Sequence, residues 1–167
     1  MPEIREHGLF FFLCDSRRLV VSLRFVSILS RKAQVQMARK RRKSAVKKLG
    51  DKRILVVEDH PFVGEILTRL LTGYDHPSHA GSGKEALKQI KHQSPNIILL
   101  DLSLPDMDGL EVARLLRQKE TTKSVRILAM SGIPLDRRNL LHAGCDDFIL
   151  KPFSIDTLLD RLSKLAG

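Results

Sequence analysis

From Lys52 onward two hydrophobic patterns take turns along the chain. Nearly unbroken apolar runs occupy Ile54–Val57, Asn96–Leu100, Val125–Met130 and Asp147–Leu150. Runs of this length without strict alternation suggest strands buried on both faces, as in a parallel sheet. Between them the apolar residues recur at helical spacing. One stripe is Phe62, Ile66, Leu67, Leu70 and Leu71, and a second is Ala86, Leu87 and Ile90. A third is Leu110, Ala113, Leu115 and Leu116, and the last is Ile155, Leu158, Leu159, Leu162 and Leu165. Residues 135–142 give a short, weak helix, and Pro61 suits a first helical turn.

A weaker strand falls near Tyr74–Ala80, where Pro77 and two histidines suit only an edge. Strand and helix then alternate five times. With right-handed crossovers this predicts a doubly wound α/β fold, a five-stranded parallel sheet with five helices. The flavodoxin-like order 2-1-3-4-5 puts the weak strand at an edge and a crevice at the carboxyl ends of strands 1 and 3.

The first fifty residues break this pattern. They hold thirteen Lys or Arg against three Asp or Glu, while residues 51–167 hold sixteen of each, so the net charge of +10 belongs to the extension. The apolar stretch Gly8–Cys14 is short, and charges interrupt the chain before Leu19–Leu29 resumes. A membrane span needs about 20 nearly uninterrupted apolar residues. A signal peptide carries its charges before the apolar run and not after it. An interfacial amphipathic segment remains open. The run Arg39-Lys40-Arg41-Arg42-Lys43, with Lys47-Lys48, is compatible with weak contact to nucleic acid or anionic lipid. A solvated, disordered tail is the favoured reading, and a third takes Met37 as the true start. The expected division is a basic extension over 1–50 and a folded domain over 51–167. Cys14 and Cys145 have no partner spacing for a disulfide framework or zinc site and read as reduced thiols.

The residues with chemistry stand just past the strand ends: Glu58, Asp59, Asp101, Ser131 and Lys151. In a doubly wound sheet these ends converge. Three packed carboxylates repel one another, and desolvation sharpens the repulsion. A hard cation such as Mg²⁺ relieves it, taking oxygen ligands while keeping waters or phosphate oxygens. Asp101 and Asp59 are the expected direct ligands. Glu58 is expected to act directly or through water, and the backbone carbonyl near Ser103 can add another oxygen. A carboxylate can also form an aspartyl phosphate as a nucleophile. Phosphoryl transfer then needs charge neutralisation, which the Lys151 ammonium can share, and a hydroxyl donor, which Ser131 can supply.

Glu58-Asp59, Asp101, Asp108-Gly109, Ser131 and Lys151-Pro152 together resemble the signature of the response-regulator receiver domain over 51–167. The resemblance implies a stand-alone receiver of the chemotaxis-regulator type, with no output domain after Gly167. It implies Asp101 as phosphoacceptor, Glu58, Asp59 and Asp101 around Mg²⁺, Ser131 as switch hydroxyl and Lys151 as phosphate-binding ammonium. Phe148 as switch aromatic rests on the resemblance alone, since an aromatic opening a buried strand is usually core. The family's Lys–Pro bond is usually cis, and Pro152 permits that. Two positions depart from the pattern: Glu58 stands where Asp is common, and Gly132 loosens the backbone after Ser131.

Singly, each element has a plainer reading as a helix cap, a turn or a surface loop. Five in register on strand ends reverse that balance. Gly81-Ser82-Gly83-Lys84-Glu85-Ala86 fits a loose dinucleotide pattern, but it follows the weak second strand. It is no P-loop, because Glu85 follows Lys84 where Ser or Thr belongs. Residues 101–109 lack the EF-hand glycine. Ser103 stands where a haloacid-dehalogenase phosphatase carries its second Asp. His76 and His79 have the one suggestive metal spacing, and it is weak; all six histidines read as surface or edge residues.

The expected function is acceptance of a phosphoryl group on Asp101 from a sensor histidine kinase or phosphotransfer protein in a phosphorelay. Phosphorylation would switch binding to a downstream protein partner. The chain would be cytoplasmic, take no small-molecule substrate, and be no enzyme beyond assisting its own phosphorylation and dephosphorylation. The alternative is a receiver-fold interaction module that does not use phosphate.

Overall fold

The computed structural model describes residues 33, 35–37, 40, 47, 49, 50, 52–72 and 77–167. The chain divides into two units, Met1–Lys40 and Arg41–Gly167. In the first, the described residues are helical and exposed. The apolar stretches within 8–29 lie outside the described residues, as does the basic run 39–43 apart from Lys40.

In the second unit the named elements are β1 (Ile54–Val57), α1 (Pro61–Leu70), β2 (Ser78–Ala80), α2 (Gly83–Gln93), β3 (Ile97–Asp101), α3 (Gly109–Arg117), β4 (Arg126–Ser131), α4 (Arg137–His142), β5 (Asp147–Leu150) and α5 (Ile155–Leu165). The sheet is parallel, with the order β2-β1-β3-β4-β5. The expected doubly wound α/β topology is therefore the observed one. β2 is short and lies at the edge; residues 73–76 of the expected segment lie outside the described residues.

Every residue of β1 and β3 is buried, which is why these strands read as unbroken apolar runs. Alternation along the strands divides their side chains between two cores. Val56, Leu99 and Leu128 pack with Leu67 and Leu71 near α1 and with Leu158 and Leu162 of α5. Leu55, Ile98 and Ile127 pack with Ala86 and Ile90 of α2, Val112 and Leu116 of α3, and Leu140 of α4. Leu49, on the extension side of the expected boundary, is fully buried in the first of these cores.

The helix starts follow local chemistry. Ser82 accepts from the Glu85 N–H, while the Glu85 carboxylate reaches back to the Gly81 N–H at 2.8 Å. Asp108, Asp136 and Ser154 cap α3, α4 and α5 with side-chain oxygens. In α1 the structure differs from the single stripe expected. Leu67 is buried and Leu71 follows it into the core, but Phe62, Ile66 and Leu70 are exposed on a neighbouring face. At 3.6 residues per turn, positions 62, 66 and 70 are offset from 67 and 71, so one apolar band covers two faces. Among the described residues, no helix is long and apolar enough to cross a membrane.

Candidate functional site

Three strands deliver the site. β1 runs directly into Glu58 and Asp59, β3 ends on Asp101, and β5 runs directly into Lys151. Because the strands are parallel, these ends lie on one edge of the sheet. Glu58 and Asp101 are buried, whereas Asp59 is exposed. One carboxylate oxygen from each of the three lies within 4.8 Å of the other two.

The Lys151 Nζ donates to Glu58 Oε2 at 2.7 Å and to Asp101 Oδ2 at 2.7 Å. One ammonium thus joins two buried carboxylates and offsets part of their repulsion. Burial acts to lower the Lys151 pKa, but the hydrogen bonds it donates to Asp101 and Glu58, together with their negative charges, outweigh it and raise the value above that of an ordinary lysine. The other Asp101 oxygen, Oδ1, accepts from the Ser103 N–H at 3.1 Å. The Lys151 N–H donates to the Ser131 carbonyl at 2.7 Å, tying the end of β5 to that of β4. The Lys151–Pro152 peptide is cis.

The geometry brings Glu58, Asp59, Asp101 and Lys151 together, with Ser103 beside them through its amide. Ser131 is buried at the end of β4, and its hydroxyl is turned into its own loop. The Oγ donates to the Ile133 carbonyl at 2.6 Å and accepts from the Ile133 N–H at 3.2 Å. Phe148 is half-buried in β5, opposite Ala129 in the ladder and against the rim of the second core.

Two contributors escaped the sequence reading. Asp106 accepts from the N–H groups of Gly83 and Lys84 at 2.9 Å each and pins the loop after β3 to the start of α2. His79, read as an edge residue, reaches the Glu58 carbonyl with Nε2 at 2.8 Å. No motif spacing signals either contact, since both bridge separate elements.

An acidic crevice with an ammonium at its wall, on the carboxyl edge of a doubly wound sheet, defines a class of site built for an oxygen-ligated cation and an anion. The model of the response regulator receiver domain matches residues 54–163, and the chain belongs to that family. The chain is 37% identical over 114 residues to the probable transcriptional regulatory protein TcrX of Mycobacterium tuberculosis, a match covering 67% of this chain and 48% of that protein. The chain thus spans about half the length of the curated relatives it matches. It is 31% identical to the receiver domain of the sensor histidine kinase PA1611 from Pseudomonas aeruginosa, a structure with a magnesium ion coordinated in the active-site cleft. That match covers 71% of this chain and 99% of that one, with a TM-score of 0.63. The Vibrio cholerae chemotaxis protein CheY4 is 24% identical with a TM-score of 0.65, covering 70% of this chain and 99% of that one; this likeness shows the fold alone. The matched curated relatives are named as regulators, several of them transcriptional, so the expected stand-alone chemotaxis type gains no support.

The donor set fits Mg²⁺: three carboxylate oxygens converge, one of them exposed and open to solvent, as a hard cation that retains waters requires.

Proposed function

We propose that the chain is a phosphoacceptor whose Asp101 takes a phosphoryl group from a phosphohistidine on a sensor kinase or phosphotransfer protein. A carboxylate oxygen of Asp101 forms the new bond to phosphorus, the P–N bond breaks, and the departing imidazole takes its proton from solvent. Glu58, Asp59, Asp101 and the Ser103 carbonyl would hold Mg²⁺, which when bound neutralises charge on the transferring phosphoryl oxygens. Lys151 holds a second positive charge against the same oxygens. The observation that carries this reading is its ammonium, 2.7 Å from both Glu58 and Asp101. A module that never met phosphate has no need of that cluster.

The new charge on Asp101 would draw the Ser131 hydroxyl away from the Ile133 carbonyl toward a phosphoryl oxygen. Phe148 then moves inward, and the face formed by α4, β5 and α5 changes its affinity for a downstream protein. The chain assists its own phosphorylation and dephosphorylation and acts in the cytoplasm. The working unit is 51–167 together with Leu49, which packs into its core, and the basic residues before it make at most a weak contact to nucleic acid or membrane.

The test is incorporation of phosphate from a small phosphodonor in the presence of Mg²⁺. The expected result is one acid-stable, hydroxylamine-labile phosphoryl group per chain, absent in Asp101→Asn and on chelation. Labelling that survives Asp101→Asn excludes the assignment.

A further inference from the structure

His79 is the middle residue of β2 and the ladder partner of Val56. Val56 faces the core that contains Leu67 of α1, and paired residues of adjacent strands share a face, so the imidazole points toward α1 as well. There it meets Gly64, where a Cβ would overlap the ring at Nε2. The missing side chain leaves room for the ring to reach the main chain of the acidic pair, with Nε2 2.8 Å from the Glu58 carbonyl oxygen. A carbonyl oxygen only accepts, so Nε2 carries the proton and donates. That carbonyl belongs to the peptide joining Glu58 to Asp59.

The same stretch of β2 holds the other side of Glu58. The Glu58 N–H donates to the Ala80 carbonyl at 3.1 Å. From α2, the Gln89 side chain donates to the His79 carbonyl at 2.8 Å and steadies the strand that carries the ring. The backbone of the acidic pair is therefore clamped from two directions, once by main chain and once by the imidazole.

We infer that His79 is a positioning residue for the cation site. By tethering the Glu58–Asp59 peptide, it fixes the mutual placement of two of the three carboxylates and thereby the affinity of the centre for a divalent cation. The inference rests on the metal reading above. Rotation of that peptide swings the side chains on both flanks. Mg²⁺ demands near-octahedral oxygen geometry at about 2.0–2.1 Å, so small displacements of its ligands weaken binding. Gly64 belongs to the same device, because it makes the space in which the ring can donate.

Calorimetric titration of MgCl₂ into the full chain tests this, with His79→Leu, Gly64→Ala and His79→Gln alongside. Gly64→Ala keeps the histidine and gains helix propensity, so the fold is retained while the ring is displaced. Loss of an outer-shell partner weakens metal binding by roughly 10-fold or more, and that loss is expected in His79→Leu and Gly64→Ala. His79→Gln, which keeps an N–H donor, should recover most of the affinity. A merely structural ring would lower melting temperature in EDTA and leave the Mg²⁺ affinity unchanged in both variants; that result overturns the inference alone. Absence of Mg²⁺ binding in the unmodified chain overturns the metal reading, and this inference with it.

Discussion

Asp106 accepts the N–H of Gly83 at 2.9 Å, so a carboxylate in the loop after β3 caps a helix that begins 23 residues earlier. The same carboxylate takes the Lys84 N–H, and these two backbone hydrogen bonds hold its pKa below the ordinary carboxylate value of 3.8. A carboxylate depressed by folding stabilises the native state above its unfolded pKa and ceases to do so as pH falls through the folded one. Wild type should therefore lose stability more steeply than Asp106→Asn as pH drops below about 4, the ordinary carboxylate range. Urea unfolding across that range measures the convergence of the two proteins; parallel curves exclude the capping role.

Lys151 joins two buried carboxylates, so its removal leaves both uncompensated. Lys151→Ala should cost about 1–3 kcal/mol in EDTA, the usual penalty for stranding buried polar groups. Added Mg²⁺ should stabilise this variant more than wild type, because the cation takes over the lost neutralisation. Denaturant titrations with and without Mg²⁺ give both increments.

Cys145 is a buried free thiol, and burial, the largest influence on it, pushes its pKa from 9.0 up to about 11. A raised pKa means that the thiol's contribution to stability is complete below pH 9.0 and is lost as pH climbs toward about 11. With Cys14 replaced by Ser, native protein at pH 8 should resist alkylation and react only after unfolding. Rapid native labelling would show that the site is open.

Gly109 begins α3 where the helix meets the end of β3. A Cβ there would stand 2.5 Å from the Asp101 carbonyl oxygen and 2.7 Å from the Leu102 Cα, both main-chain atoms that cannot rotate aside. Gly109→Ala should destabilise the fold by about 1–3 kcal/mol through overpacking. Under the phosphoacceptor proposal it should also slow phosphorylation, because relief of the clash moves the backbone that carries the Asp101 carboxylate. Thermal melts and phosphodonor kinetics test the two effects.

Leu49 is fully buried among Leu67, Leu71 and Leu162. Leu49→Ala should cost about 2–5 kcal/mol, as for other truncated core leucines. A chain that begins at Asp51 should show a comparable deficit.

The parts legible in the sequence were those in which one strand carries the signal. β1 and β3 are buried on both faces, so their apolar runs announced a parallel sheet, and their ends announced Glu58, Asp59 and Asp101. The apolar residues of α1 were legible as helix but not as two faces, because Phe62, Ile66 and Leu70 carry the same period as Leu67 and Leu71. Leu49 was hidden by the basic residues around it, whose charges say nothing about one side chain turned inward. Contacts between elements left no periodic trace. Asp106 on the α2 amides, His79 on the Glu58 carbonyl and the Ser131 hydroxyl on Ile133 depend on how loops close.

The ammonium of Lys151 and the carboxylate it holds on Glu58 are separated by 93 residues of chain. During synthesis, Asp101 and its acidic neighbours emerge well before the lysine that balances them, and the lysine arrives only with β5. Neutralisation of the acidic end of the sheet by this ammonium is consequently completed only when β5 is in place. A stalled or clipped chain ending before Lys151 would display the carboxylates of Glu58 and Asp101 without this counter-charge.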